Sequence, residues 1–307
     1  MLVLSFLASR HITTPIAELA AATHRIADGD LDTPTRVTSG DELGELGASV
    51  NAMLPQLRDH IRIKHSLTLA MEVQQNLLPH AAPSVPGLDI AGKSIYCDET
   101  GGDYYDFLDL SQLSADTLGV AIGDVTGHGI AAALMMATAR SLLRSRADQP
   151  GDLGELLDHI NRHLADDVPV GKFMTLCYLL FETRDRTLRW TSAGHDPAIV
   201  HDTNTGTFTR LDGGGIPLGI EPSWKYEQLG PRPLRSGEVL VVGTDGIWEA
   251  RNPANEMFGK GRLEEVVRAH AGASAADISR AVTDAVSTFR GEHSQDDDIT
   301  LVVIRVE

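Results

Sequence analysis

Apolar residues recur at intervals of three and four positions along the first part of the chain, the spacing that keeps side chains on one helix face. One such series is Ile16, Leu19, Thr23 and Ile26. A second has the spacing of a coiled-coil seam and consists of Leu43, Leu46, Val50, Met53 and Leu57. Two short helices with such seams cannot bury both faces alone, so the pattern predicts a parallel, dimeric four-helix bundle.

Turn and capping residues set the limits of these two predicted helices. Asp28-Gly29-Asp30 should end the first helix, because glycine readily takes the left-handed conformation of a helix stop. Asp41 can cap the second helix. Pro55 lies inside the second helix and is expected to kink it or to weaken one of its hydrogen bonds. The next two seam positions carry His60 and Lys64, which weakens the seam from there on.

The segment of residues 61–84 connects this predicted bundle to the rest of the chain. Residues 61–78 contain neither glycine nor proline and predict a linker helix. This helix is either a plain connection or a dimeric signalling helix. The Pro-rich residues 79–86 favour extended chain and mark a domain boundary.

The chain opens with an apolar run from Met1 to Ala8. This run is too short to cross a bilayer, which takes about 20 residues. It also lacks the basic segment and the cleavage site of a signal peptide. Two interpretations remain, the cytoplasmic end of a transmembrane helix or the apolar start of a helix in a soluble protein.

From residue 85 on, short apolar runs are mixed with longer helical patterns. The predicted strands are Leu118–Ile122, Met174–Phe181, Leu188–Thr191, Ala198–Val200, Val239–Val242 and Ile299–Val306. The predicted helices are Ile130–Arg146, Gly154–Leu164, Arg262–His270 and Ala275–Phe289. Many short strands with a few long helices indicate an α+β sandwich rather than an alternating parallel sheet.

The composition narrows the choice of function. The chain has 26 Lys and Arg against 43 Asp and Glu, a formal net charge of −17. Nucleic-acid binding draws on clustered basic residues, so this excess of acid argues against a nucleic-acid partner. The two cysteines, Cys97 and Cys177, provide neither a disulfide framework nor a cysteine zinc site.

Aspartates recur where the predicted strands meet turns. These residues are Asp103, Asp124, Asp245 and the run Asp296-Asp297-Asp298. Any one of them alone is most simply a turn residue. Strand ends can converge on one rim, however, and carboxylates that meet there repel each other unless a cation binds. Oxygen ligands favour Mg²⁺ or Mn²⁺ over zinc.

A set of residues between 10 and 60 follows the pattern of a known signalling module. The set is Arg10, Pro15-Ile16, Leu19, Ala27 to Leu31, Asp41 to Leu46 and Asn51-Ala52-Met53. Together these residues resemble a HAMP signal-relay domain. HAMP domains typically follow a transmembrane helix on the cytoplasmic side. The resemblance therefore favours a membrane helix end at residues 1–9, a homodimer through the HAMP and linker helices, and a location at the cytoplasmic side of the bacterial cell membrane.

Six short motifs occur in a fixed order after residue 84. They are Gly101 to Asp106, Gly123 to Gly129, Ser192 to Pro197, Pro217-Leu218-Gly219, Thr244-Asp245-Gly246 and Asp297 to Thr300. Together they resemble the PPM metal-dependent serine/threonine phosphatases, in particular the SpoIIE-like sporulation and stress subgroup. The resemblance covers residues 85–307 and implies a β-sandwich of two stacked sheets flanked by helices.

The resemblance also implies the ligands of two Mn²⁺ or Mg²⁺ ions. Asp124 matches the aspartate that bridges both ions, and the main-chain carbonyl of Val125 matches the neighbouring ligand. Asp245 and Asp297 match the two aspartates that hold the first ion. Asp124 and Asp245 are accordingly the predicted catalytic residues.

Three roles stay less defined by the resemblance. Asp103 matches an acidic ligand of the second ion, with Asp106 and Glu99 as close alternatives. His128 and His195 are candidates for a general acid, and each is equally well explained as a structural residue. The relatives' phosphate-binding arginine has no evident match before Asp103, where the nearest cation is Lys93.

The implied activity is hydrolysis of phosphoserine or phosphothreonine in a protein, by two ions that activate a water. The resemblance implies a phosphorylated anti-sigma-factor antagonist of the STAS type as substrate and regulation through HAMP. The alternative is a partner-binding module that keeps the fold with little turnover. A diguanylate cyclase is disfavoured because Tyr104 replaces the catalytic glutamate, and a histidine kinase because nucleotide-binding glycine boxes are absent from the sequence.

Overall fold

The computed structural model describes residues 2–37, 39–97, 100–112, 116–127, 129–149, 151–167 and 171–307, and of residues 2–11 only the backbone. The chain divides into two compact units, Met1–Leu69 and Ala70–Glu307. Glu99 and His128, both named by the sequence analysis, lie outside the described residues.

The first unit is built from two helices, α1 (Leu2–Ala27) and the first part of α2 (Glu42–Gln75). α1 ends at Ala27, two residues before Gly29, which has a φ of +93°, so the predicted stop at Asp28-Gly29-Asp30 is confirmed. Asp41 Oδ1 accepts a hydrogen bond from the Leu43 N–H at 3.1 Å, so the predicted cap of α2 is present. Within the described part of the chain, no helix combines the length and apolar character needed to cross a bilayer.

The connector between α1 and α2 is fixed by side chains of α2. The Thr35 N–H donates to Asn51 Oδ1 at 2.7 Å, and Asn51 Nδ2 donates back to the Thr35 carbonyl at 3.1 Å. Arg58 adds a hydrogen bond to the Leu31 carbonyl at 2.8 Å. The backbone groups of the connector have no partner in a helix or strand, and these hydrogen bonds satisfy them.

Pro55 lies inside α2 at an exposed position, as the sequence predicted, and the helix continues on both sides of it. α2 ends at Gln75, three residues before the end of the helix predicted over residues 61–78 in the 61–84 linker segment. After the helix end, the Leu77 N–H donates to the carbonyl of Gln74, three residues earlier, at 2.9 Å. Pro79 has no N–H group and cannot continue this series of hydrogen bonds.

The second unit contains two five-stranded sheets in which all paired strands are antiparallel. The first sheet has the order β1 (Leu88–Ile95), β10 (Ile299–Val306), β9 (Glu238–Gly243), β6 (Ala198–Asp202) and β7 (Thr207–Leu211). The second has the order β2 (Tyr104–Asp109), β3 (Thr117–Val125), β4 (Met174–Glu182), β5 (Thr187–Ala193) and β8 (Leu229–Pro233).

In the described part of the second unit, four helices cover the two sheets, and three apolar clusters fill the spaces between the layers. The helices are α3 (Ile130–Arg146), α4 (Leu153–Asp167), α5 (Gly259–His270) and α6 (Ala275–Arg290). One cluster joins the second sheet to α3 and α4, a second joins the two sheets, and a third joins the first sheet to α5 and α6. The predicted α+β sandwich flanked by helices is confirmed.

The sequence located six of the ten described strands. β1, β2, β7 and β8 were missed, because their polar, glycine or proline positions weaken the periodic signal. The predicted helix Ile130–Arg146 and the predicted strand Ile299–Val306 match α3 and β10 at both ends.

Candidate metal centre

Two of the predicted metal ligands lie at one end of the second sheet. Asp103 directly precedes β2, and Asp124 is the residue before the last of β3. β2 and β3 are antiparallel neighbours with Tyr104 opposite Gly123. This register brings the start of one strand beside the end of the other, so both carboxylates belong to the same edge.

The other two predicted ligands lie at an end of the first sheet. Asp245 follows the last residues of β9, and Asp297 precedes β10. These strands pair with Gly243 opposite Leu301. Because the two strands are antiparallel, the turn after β9 lies beside the start of β10. Asp245 and Asp297 therefore belong to the same edge of the first sheet.

Hydrogen bonds join the two sheet ends. Thr244 Oγ1, on the first sheet, donates to Asp103 Oδ2 at 2.7 Å. The Thr300 N–H donates to Thr244 Oγ1 at 3.0 Å, which orients that hydroxyl. Asp298 accepts the Gly102 N–H through Oδ2 at 2.9 Å and the Cys97 N–H through Oδ1 at 2.9 Å. Asp298 is therefore occupied in holding the loop before Asp103, which fits the choice of Asp297 as the ligand.

Electrostatic repulsion marks these carboxylates as one group. Burial, together with the charge of Asp124, raises the pKa of Asp103 well above its usual value. Burial and the charges of Asp245 and Asp297 raise the pKa of Asp124 to about 7. Burial and the charge of Asp297 raise the pKa of Asp245 to about 6. Negative groups that destabilise each other in this way form an environment that favours a cation.

The donors suit a hard divalent cation, although they do not form a closed cage. Among the described residues, no three Asp, Glu, His or Cys side chains converge closely enough to enclose an ion. Neighbouring aspartates nevertheless contribute to the raised pKa values of Asp124 and Asp245, so the carboxylates at the two sheet ends are close enough to repel each other. A Cβ on Gly102 would lie 2.5 Å from the Val125 carbonyl oxygen, so only glycine fits beside that oxygen without a clash. An all-oxygen set of this kind fits Mn²⁺ or Mg²⁺.

Asp106, the alternative to Asp103, has a different set of partners. It is fully buried, and Arg144 forms a two-pronged pair with it, with both distances 2.6 Å. The Tyr104 hydroxyl donates to the same carboxylate at 2.9 Å, and Arg140 lies 3.8 Å away. These contacts tie β2 to α3 and give Asp106 a structural role.

His195 is buried and neutral. Its Nδ1 lies 2.8 Å from Thr175 Oγ1, and Thr175 is the strand partner of Asp124. Burial lowers the pKa of His195 to about 4. A neutral, buried imidazole is a poor proton donor near pH 7, so His195 supports the strand end beside Asp124.

Lys93 was named from the sequence as the nearest cation before Asp103, whereas the contacts of Lys172 and Lys260 were not anticipated. Lys93 donates to Thr283 Oγ1 on α6 at 3.2 Å and so points into the packing of the first sheet. Lys172 donates to the Thr126 carbonyl at 2.7 Å, one residue after Val125. Lys260 forms an ion pair with Asp196, whose charge contributes to the raised pKa of Asp245. Lys93 lies on β1, Lys260 on α5 and Lys172 between α4 and β4, so these contacts arise only when distant segments pack together.

The sequence matches two family models. Residues 114–307 match "Stage II sporulation protein E (SpoIIE)", and residues 7–59 match the HAMP domain. The phosphoserine phosphatase RsbU of Bacillus subtilis (strain 168) is 29% identical over 243 residues, which cover 79% of this chain and 70% of RsbU. Protein IcfG of Synechocystis sp. is 29% identical over 338 residues, covering 98% of this chain and 52% of IcfG. This chain therefore spans about half the length of IcfG.

A solved structure with the same architecture is the SiaA-PP2C domain of Pseudomonas aeruginosa. It matches with a TM-score of 0.69 at 23% identity, covering 81% of this chain and 98% of that domain. At this identity the likeness concerns the fold alone. The family match covers more than half of the chain and includes Asp124, Asp245 and Asp297, whereas Asp103 precedes it. The chain belongs to the SpoIIE family of PPM-type serine/threonine phosphatases, with a HAMP domain preceding the phosphatase domain.

Proposed function

We propose that this chain hydrolyses phosphoserine or phosphothreonine in a protein substrate at a centre for two Mn²⁺ or Mg²⁺ ions. The proposed ligands are Asp103, Asp124, Asp245, Asp297 and the Val125 carbonyl. The observation that carries the proposal is the group of aspartates whose pKa values are raised by burial and by one another's charge. When bound, the ions would activate a water and neutralise charge on the phosphoryl group.

The residues of the chain have separable tasks in this proposal. Asp124 and Asp245 supply negative charge on two different sheets, and Thr244 links these sheets through its bond to Asp103. Glycine at position 102 avoids a clash with the Val125 carbonyl. This division predicts that loss of either aspartate removes activity without unfolding the domain.

The proposed substrate is a phosphorylated anti-sigma-factor antagonist of the STAS type. Support comes from the similarity to RsbU, which is named a phosphoserine phosphatase. Release of phosphate from a serine-phosphorylated STAS protein, followed by mass spectrometry, tests this proposal. A matched phosphotyrosine peptide serves as the control substrate. Turnover of the peptide with no turnover of the STAS protein would contradict the proposed substrate.

The decisive experiment for catalysis measures Mn²⁺-dependent phosphate release by the full chain. Asp124→Asn and Asp245→Asn should each lower activity by at least a hundredfold, because each removes a proposed ligand. Asp148→Asn, an exposed aspartate after α3, is the matched control and should match the unmodified chain. Unchanged activity in both ligand variants would overturn the metal assignment. A folded chain without turnover of any phosphoprotein would favour the binding-module alternative.

We further propose that a second copy of the chain covers the apolar seam of the HAMP unit. Ile16 and Leu46 are each 50% exposed, and Met53 is 42% exposed, although all three belong to the predicted seam. Exposed apolar residues at coiled-coil spacing are typical of a helical dimer interface. Sedimentation of the full chain should give a dimer, and Leu46→Glu should shift it towards monomer. Monomeric behaviour of the unmodified chain at all concentrations would contradict this proposal.

Signal control through HAMP and a position at the cytoplasmic membrane are also proposals. Their support is the HAMP match and the continuity of α2, which begins within that match and ends at Gln75. Fractionation of cells that produce the protein with its natural upstream sequence tests the location. Recovery of the protein entirely in the supernatant would contradict the proposed location.

A further inference from the structure

The loop that leads into Asp103 is held from three directions. Asp298 accepts the Gly102 N–H at 2.9 Å, and the Gly129 N–H donates to the Thr100 carbonyl at 3.1 Å. The third anchor is Gln74, in the last turn of α2. Its Nε2 donates to the Gly101 carbonyl at 2.6 Å, and its Oε1 accepts the Gly101 N–H at 3.3 Å.

The Gln74 side chain is unusual for the exposed end of a helix. It is only 3% exposed, whereas its neighbour Gln75 is exposed. One amide group satisfies both the donor and the acceptor of Gly101. Without Gln74, both groups would be buried and unpaired unless the loop moved, because a buried polar group without a partner is costly.

The loop has little freedom to compensate by changing its own shape. A Cβ on Gly101 would overlap the Asp298 carboxylate and the Tyr96 ring. A Cβ on Gly102 would press against the Val125 carbonyl, 2.5 Å away. The two glycines thus fit closely between Asp298 and the end of β3. A small shift of the Gly101 peptide would therefore displace both Gly102 and the adjoining Asp103.

We propose that Gln74 is a positioning residue of the metal centre, which fixes the Gly101–Gly102 peptide and so holds Asp103 and the approach to the Val125 carbonyl in place. The inference rests on the proposed function, since it presupposes that Asp103 and Val125 are ligands. Gln74 itself touches neither the ions nor the substrate. Its amide acts through the backbone of Gly101.

The test compares Gln74→Met with Gln75→Met in the full chain. Gln74→Met keeps the length of the side chain and removes both hydrogen bonds without adding charge. We expect about a tenfold weaker Mn²⁺ affinity by isothermal titration calorimetry, the size of effect that the loss of one to two hydrogen bonds produces. Saturating Mn²⁺ should restore kcat. Gln75→Met should bind Mn²⁺ as the unmodified chain does.

A second readout separates positioning from general stability. In metal-free protein, the Gly101 and Gly102 amides should exchange hydrogen faster in Gln74→Met, while the thermal transition of the second unit stays within a few degrees. Equal Mn²⁺ affinity in Gln74→Met and the unmodified chain would overturn the proposal. A lowered thermal transition with unchanged Mn²⁺ affinity would also overturn it, because Gln74 would then be purely structural.

Two further outcomes are distinguishable. Should Gln74→Met fail to fold, Gln74→Glu takes its place, because it keeps the acceptor for the Gly101 N–H and removes only the donor to the Gly101 carbonyl. Weaker Mn²⁺ binding in this variant supports the proposal, and unchanged binding overturns it. Absence of both Mn²⁺ binding and phosphatase activity in the unmodified chain would instead refute the proposed function.

Discussion

At the scale of single residues, the candidate centre is governed by the cost of placing several carboxylates together. Asp124 and Asp245 have pKa values raised to about 7 and about 6, and in both cases burial is the first cause and neighbouring aspartates the second. A bound divalent cation would reverse this balance, because it favours the charged form. Proton release and metal binding are therefore coupled at this site.

Mn²⁺ affinity should accordingly depend on pH. In metal-free protein, Asp124 keeps its proton up to about pH 7, and this proton must leave before the carboxylate can bind an ion. We expect affinity to rise from pH 5.5 to pH 8, with proton release measured by calorimetry in buffers of different ionisation enthalpy. Asp124→Asn should weaken binding and reduce the proton release. Affinity independent of pH over this range would contradict the prediction.

The same shifts predict how the stability of the metal-free protein changes with pH. The folded-state pKa of Asp124 lies above its ordinary value of 3.8, so the folded chain binds more protons than the unfolded chain between these values. This contribution therefore stabilises the fold at low pH and is lost as pH rises towards 7. Added Mn²⁺ should raise the melting temperature more at pH 8 than at pH 5.5. An equal rise at both pH values would contradict the assignment.

A substitution at Asp106 distinguishes a structural carboxylate from one that binds metal. Asp106→Asn weakens a fully buried pair with Arg144, and we expect a loss of about 3 kcal/mol in unfolding free energy with unchanged Mn²⁺ stoichiometry. Denaturant unfolding and calorimetry measure the two quantities. Asp109→Asn, at the exposed end of the same strand, is the control. Loss of one Mn²⁺ with unaltered stability would make Asp106 a ligand.

At the scale of secondary-structure elements, α2 accommodates a proline in its interior. Pro55 lies within a continuous helix, and its missing N–H leaves the Asn51 carbonyl without its usual helical donor. Asn51 uses its side chain to hold Thr35 of the connector. Tertiary contacts of this kind stabilise a helix against the local preference of one residue.

Replacing this proline should strengthen α2. Pro55→Ala restores one backbone hydrogen bond and should raise the free energy of opening for nearby α2 amides by about 1–3 kcal/mol. Native-state hydrogen exchange of the full chain measures this change. Gln56→Ala, at the adjacent exposed position, is the control. Unchanged protection in Pro55→Ala would indicate that packing alone determines the stability of this part of α2.

At the scale of the whole molecule, the second unit begins earlier than the sequence boundary at residue 85. The unit starts at Ala70, and Leu77 and Leu78 pack against its apolar clusters. Gln74 belongs to the same unit and contacts Gly101. The end of α2 is thus part of the structure that supports the candidate centre.

Two truncations test this boundary. A chain of residues 70–307 should fold with the stability of the second unit in the full chain. A chain of residues 79–307 should lose about 2–4 kcal/mol, since it lacks two partly buried leucines, and should bind Mn²⁺ more weakly because it lacks Gln74. Urea unfolding and calorimetry compare the two. If both truncated chains have the same stability and the same Mn²⁺ affinity, the second unit begins at the Pro-rich segment rather than at Ala70.

The sequence by itself determined the α+β class, the family and six of the ten described strands, because apolar periodicity and short motifs are local properties of the chain. It also named the aspartates at strand ends. The tertiary structure decided which of these carboxylates repel each other, that Asp106 pairs with arginine, and that Gln74 reaches Gly101 across 27 residues. Such contacts depend on strand register and burial, which arise only when distant segments pack together.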